Sequence, residues 1–238
     1  MTTKAIDVFR NLEVGIMTLV KSADLYSLQL LARERKTQVP TDLIDIILTD
    51  NRISGFTVDG GMYRPHEIAM LKSTGLFRRV GEQIVLATYT AAEMYLTEKF
   101  KEYLAFRYSQ SSPELLQALL DRLSFRSLQE IKKHYSDLLD IHLPFFEIQM
   151  FTTDKCNFQP RDCWEAFNIL STARNDIAHL GYSKAYKVDT PVDSWYPFEF
   201  VRTWIAQFDS NFDMLMFARQ ETSLIVEYKQ RANASHCK

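Results

Sequence analysis

The chain is short of residues that turn a backbone. Of its 238 residues only 7 are glycine and 7 are proline, well below the average usage of roughly 7% and 5%. Few turn-formers in a chain of this length mean few turns and long elements. That points to helices and excludes many-stranded sandwiches and barrels. It also excludes chemistry built on glycine-rich loops, since neither G-x-x-x-x-G-K-[ST] nor G-x-G-x-x-G occurs. Cysteine is scarce as well. Cys156, Cys163 and Cys237 form no C-x-x-C pair, and an odd count reads as reduced thiols. No apolar run approaches the ~18 residues a membrane span needs, and Met1 to Asp7 shows no apolar stretch of a secretory signal. The expectation is a cytoplasmic protein with no membrane contact. A formal charge of −2 leaves no global basic footprint for nucleic acid, only room for a local patch.

What is present is helical pattern. Residues 3 to 36 contain no proline and a single glycine, Gly15, and read as one or two helices ending in the charged run Arg33 to Lys36. Thr41 caps a short helix reaching Ile47. The stretch from Ser54 to Tyr63, with Gly55, Gly60 and Gly61, reads as turns around a small hairpin, and His66 to Thr74 as a helix stopped by Gly75. Arg78 to Tyr108 is apolar on most of its circumference, the mark of a helix at the centre of a bundle. Ser112 and Pro113 open a short helix. Ser127 and Glu130 form a capping box that opens another, to about Ile141. Residues 161–180 are helical up to Gly181, Tyr182 to Tyr196 is a loop, and Pro197 opens a last helix reaching about Lys229. The fold class is therefore all-α: a four-helix bundle over residues 76–238 with an N-terminal helical extension over 1–75.

One helix carries candidate chemistry. At 100° per residue, Cys163, Ala166, Ile169, Leu170, Ala173, Ile177 and Leu180 form an apolar stripe. Asn168, Asn175 and His179 fall on the opposite face. Asn175 and His179 are an i, i+4 pair, and Arg174 lies on the flank, long enough to swing toward His179. A histidine near a helix C-terminus suits general acid–base work. An arginine beside it can hold a phosphate and offset charge in a transition state. A purely structural reading of the same residues pairs Arg174 with Asp176 or Glu165 and makes His179 a helix cap.

The run Arg174-Asn175-Asp176-Ile177-Ala178-His179 resembles the R-x4-6-H motif of the HEPN superfamily of helical-bundle nucleases. There too the arginine is followed by a polar residue, often asparagine. Ala91, Glu93, Tyr95, Leu96 and Phe100 match an A-x-E-x-Y-L-x-x-x-F pattern of that family's long first helix. The resemblance covers about residues 76 to 230. It implies a metal-independent endoribonuclease without a cofactor, with Arg174 and His179 catalytic and Asn175 their polar support. It further implies a homodimer in which two motifs face each other, an RNA substrate, a toxin or antiviral role, and a cognate antitoxin or regulatory protein. One departure stands out. Some toxin members carry H-x-Y, whereas here Tyr182 follows His179 by three. The alternative is a non-catalytic HEPN-like module that binds a protein or RNA partner.

Other residues point to less. His134 and His142 are eight apart without an acidic partner at ligand spacing, so they are expected as exposed histidines and not as a metal site. Cys156 and Cys163 read as structural thiols. Arg33 to Lys36, Arg78 with Arg79, Lys132 with Lys133, and Arg161 read as solvated faces with a smaller claim to RNA contact. Phe145, Phe146 and Phe151 read as a loop packed over the bundle before they read as base-stacking residues. Trp164 and Phe167 lie off the stripe and call for a second covering surface, from a dimer partner or from the N-terminal piece.

Overall fold

The computed structural model describes residues 4–39, 41–49, 65–108, 112–148, 157–188, 193–212 and 214. Within them every regular element is a helix: α1 (Lys4–Glu34), α2 (Thr41–Thr49), α3 (Pro65–Ser73), α4 (Leu76–Arg107), α5 (Pro113–Leu120), α6 (Leu128–Leu139), α7 (Cys163–Leu180) and α8 (193–212). The stretch expected to hold a hairpin, Ser54 to Tyr63, lies outside the described residues, as do the end of the last helix, Phe151, Cys156 and Cys237.

α4 is the axis, as its all-round apolarity requires. Ile84, Val85, Tyr89, Ala92, Tyr95, Leu96, Phe100 and Leu104 are buried on it. α1 is one continuous helix and packs along α4 in the opposite direction. The Ala5 amide donates to Glu102 Oε1 at 2.8 Å, and Phe9, Ile16 and Val20 join the same core cluster. α7 is also antiparallel to α4, because Gly181 at its end meets Arg79 near the start of α4. α6 and α8 run parallel to α4. Tyr135 on α6 donates to the Leu96 carbonyl at 2.8 Å, and Asp209 on α8 accepts from Tyr95 and Lys99 at 2.9 and 2.7 Å.

α8 supplies an aromatic column. Phe200, Trp204, Phe208 and Phe212 recur at i, i+4 spacing, so their rings lie along one face. Trp204 stacks on Phe208 at 4.7 Å between ring centroids. Phe146, from the loop after α6, stacks on Trp204 at 5.7 Å, and Phe145 meets Phe208 edge-on. These two phenylalanines are thus packing residues.

The local signals at helix ends are met by geometry. Ser112 Oγ accepts from the Leu115 amide and Pro113 takes the first turn of α5. Ser127 Oγ accepts from the Glu130 amide at 3.3 Å. Glu130 itself reaches back to the Arg126 amide and Ser124, one residue earlier than the box predicts. Gly75 and Gly181 both adopt positive φ, 68° and 77°, the left-handed conformation that ends a helix cheaply only with glycine.

Two expectations are corrected. α8 begins at residue 193, not at Pro197. Asp193, Ser194 and Trp195 are buried, and Pro197 falls at the end of the first turn, where its missing N–H removes a single ladder bond. His134 is not an exposed histidine: its Nε2 lies 2.7 Å from the Ser124 carbonyl and its ring packs against Phe100 and Phe125. Arg33 to Lys36 are exposed at the end of α1, as a solvated helix end is, and Arg35 also pairs with the buried carboxylate of Glu67.

Candidate functional site

α7 is held at both ends. Asp162 Oδ1 caps its start, accepting from the Glu165 amide at 2.7 Å, and Glu147 takes the next orphan donor, the Cys163 amide, at 2.8 Å. Gly181 closes the far end through its amide to the Ile177 carbonyl. Asp176 accepts from the Lys184 and Ala185 amides at 2.6 and 3.1 Å. It therefore fixes the loop that follows His179 and is not an ion-pair partner of Arg174. Glu165, the other partner suggested by sequence, is held by Arg161.

The buried face of α7 is Cys163, Ala166, Phe167, Leu170, Ala173 and Ile177. Ile169 is half-buried and Leu180 is 46% exposed. The stripe is thus rotated from its expected position, away from Ile169 and Leu180 and toward Phe167. Phe167 is covered by Phe200 and Trp204 of α8, at 5.1 and 5.0 Å. Trp164 is met by Lys132 of α6, whose ammonium sits 3.8 Å from the ring centroid.

This rotation decides where Arg174 goes. On the helical wheel Arg174 falls between Cys163 and Phe167, at the margin of the buried face, and it is half-buried. Its guanidinium carbon lies 5.9 Å from the centroid of Tyr89 on α4, and its Nη1 donates to Asn175 Oδ1 at 3.0 Å. Tyr89 shares a hydrogen bond with Ser171 and donates to Glu93 Oε1 at 3.4 Å. Burial pushes the Glu93 carboxyl above its ordinary range, and the Arg174 charge and the Tyr89 hydroxyl pull it part of the way back. Burial likewise raises Tyr89 and keeps its hydroxyl protonated. The structure therefore assembles Arg174, Asn175, Ser171, Tyr89 and Glu93 between α4 and α7.

His179 and Asn175 are exposed. His179 forms no side-chain hydrogen bond among the described residues and is not a buried residue tied to a backbone carbonyl. Arg174 lies along α4 and does not swing onto His179. Asn168, on the same face, accepts from Gln129 of α6 at 2.9 Å. Glu93 is legible only as a letter in a pattern, and Tyr89 only as one of the apolar residues of its helix, because a tyrosine and a glutamate at i, i+4 on a mostly apolar helix look like ordinary core and margin.

Among the described residues no group of three or more His, Cys, Asp or Glu is placed to hold a metal ion, and no helix is long and apolar enough to cross a membrane. Cys163 is a free, buried thiol. Burial raises its pKa to about 12, although the Ile148 amide donates to it, so it is inert at neutral pH. Compared with family models, with curated proteins and with solved structures, the chain matches none.

Proposed function

We propose that this protein is a metal-independent endoribonuclease of the HEPN kind, with α4, α6, α7 and α8 as its bundle, Arg174 and His179 as its catalytic pair and Asn175 in support. The observation that carries the reading is the placement of the motif on a capped helix. His179 is exposed one residue before the helix end. Arg174 and Asn175 are joined by a hydrogen bond one turn earlier. In such a site the histidine takes the proton of the ribose 2′-hydroxyl, the hydroxyl oxygen attacks the adjacent phosphorus, and the 5′-oxygen leaves with a proton from an acid. A guanidinium offsets the charge that grows on the phosphoryl oxygens. One helix offers one histidine, so the acid is His179 of a second copy in a homodimer. A toxin or antiviral effector that cuts RNA, restrained by an antitoxin or regulatory protein, fits such an activity.

A second reading, a non-catalytic helical module, is favoured by one observation: Arg174 lies over Tyr89 and beside Glu93 and not against His179. The experiment that separates the two is incubation with total RNA and mapping of the cut ends, with the His179→Ala protein alongside. Defined ends lost in the variant support the nuclease. Intact RNA in both supports the module.

A further inference from the structure

The end of α7 that carries His179 is docked against the start of α4, and that junction has a composition of its own. Arg78 and Arg79 are the third and fourth residues of α4. Arg79 Nη1 donates to the Gly181 carbonyl at 3.0 Å, and the Arg78 guanidinium lies 5.4 Å from the centroid of the Tyr182 ring. Beneath them Glu82, 3% exposed, accepts from Arg78 Nε at 3.1 Å and sits 3.7 Å from Arg79 Nη1. A buried carboxylate thus holds both arginines from below, while 51% and 74% of their side chains remain open to solvent. These contacts engage Nε of Arg78 and Nη1 of Arg79, which leaves guanidinium donors on both exposed side chains for another acceptor. Tyr182 is 39% exposed. Three Cα steps of about 3.8 Å set the greatest separation of His179 and Tyr182 along the chain, so this junction adjoins the proposed site.

We propose that Arg78, Arg79 and Tyr182 form a docking site for single-stranded RNA next to His179. The guanidinium groups take the phosphate of a nucleotide flanking the cut, and its base stacks on the Arg78–Tyr182 pair. The inference rests on the nuclease reading for its substrate. The chemistry is that of a single strand, which alternates a phosphate with an aromatic base: forked donors meet the one and a π-face meets the other. An acidic peptide would use the arginines but has no need of the ring. Glu82 keeps the arginines in place before the strand arrives, so little side-chain freedom is lost on binding. On the motif helix itself Asn175 is neutral and the Arg174 guanidinium is half-buried over Tyr89, so a hold on the flanking strand draws on α4.

The test uses the His179→Ala protein, so that binding is read without cutting, and a fluorescein-labelled unstructured RNA of about 12 nucleotides followed by anisotropy. In that background Tyr182→Leu weakens binding about tenfold, as expected for loss of one stacked base, while Tyr182→Phe, which keeps the ring, binds as the parent does. Arg79→Gln weakens binding and lowers the slope of log affinity against log salt by about 0.7, the value for one phosphate contact on a single strand. Arg78→Lys keeps a charge opposite Glu82 but loses the stacking plane, and it weakens binding less than Tyr182→Leu. Unchanged affinity in both Tyr182→Leu and Arg79→Gln overturns the inference, as does a parent protein that binds no RNA at micromolar concentration. Failure of the nuclease reading looks different. A wild-type protein that cuts no RNA, yet whose binding still falls with Tyr182→Leu and Arg79→Gln, removes the catalysis and leaves the docking site standing.

Discussion

Asp24 lies in the middle of α1, 2% exposed, and its Oδ2 has no hydrogen-bond partner among the described residues. Burial raises its pKa from 3.8 to about 7. A carboxyl whose pKa is higher in the folded than in the unfolded protein favours folding most below the unfolded value. The folded state then holds a proton that the unfolded state has lost, and stability falls as pH climbs from about 4 through about 7. At 1.36 kcal/mol per pKa unit, that rise corresponds to roughly 4 kcal/mol of stability lost above neutral pH. Asp24→Asn imitates the protonated side chain and does not titrate. The measurement is urea unfolding of both proteins at several pH values from 4 to 8. Subtracting one profile from the other cancels every other titrating group, including Glu93 and Glu199, which burial also raises. The two proteins should be close in stability at pH 4, and the variant should be ahead by up to about 4 kcal/mol at pH 8. A difference that stays constant across this range would refute the reasoning, because it would mean that Asp24 titrates alike in both states.

Other expectations follow from single contacts. Gly81→Ala gains about 1 kcal/mol of helix propensity, but its new Cβ would collide with Val188 Cγ1. Valine is stiff at χ1, so overpacking of about 1–3 kcal/mol wins and the melting temperature falls by a few degrees; a rise would show that the loop bearing Val188 gives way freely. Asp162→Ala removes the cap of α7 and should cost about 1 kcal/mol in denaturant unfolding, whereas an unchanged midpoint would mean that Glu147 alone secures that end. His179→Ala should leave stability within about 0.5 kcal/mol, as an exposed position does. Arg174→Ala should cost more, and increasingly so as pH rises and Glu93 ionises, because it strips the cation from that half-buried carboxylate; equal melting curves would deny that contact. Light scattering should give twice the 27.8 kDa chain mass at micromolar concentration, and a fully active monomer would contradict the two-histidine scheme.

The parts of the fold legible in the sequence are those governed by local chemistry. Ser112, Ser127 and Gly181 mark helix ends because capping depends on two or three neighbouring residues. The all-round apolarity of α4 gave away its central place. What stayed hidden depends on which element packs where. Pro197 is the strongest local signal near the start of α8, yet the helix begins at 193, where the burial of Asp193 and Ser194 comes from distant chain: the Asn157 amide donates to Asp193 Oδ1 at 2.9 Å. The face of α7 was read from its apolar letters, which cannot show that α8 covers Phe167. That rotation turns Arg174 toward α4. The motif Arg174, Asn175 and His179 was therefore legible as a spacing, while the company Arg174 keeps, Tyr89 and Glu93, follows from how α4 and α7 pack.

On the nuclease reading, His179 and Arg174 cut RNA through the substrate's own 2′-hydroxyl. The most direct measurement takes an RNA oligonucleotide that spans a mapped cut and compares it, in EDTA, with the same strand carrying a single 2′-deoxy nucleotide on the 5′ side of that cut. The ribose strand should be cut to a 2′,3′-cyclic or 3′-phosphate end, the single deoxy substitution should block the cut, and the His179→Ala protein should leave both strands whole. Cleavage of the deoxy strand, activity that returns only with added magnesium, or undiminished cutting by the His179→Ala protein would contradict that reading.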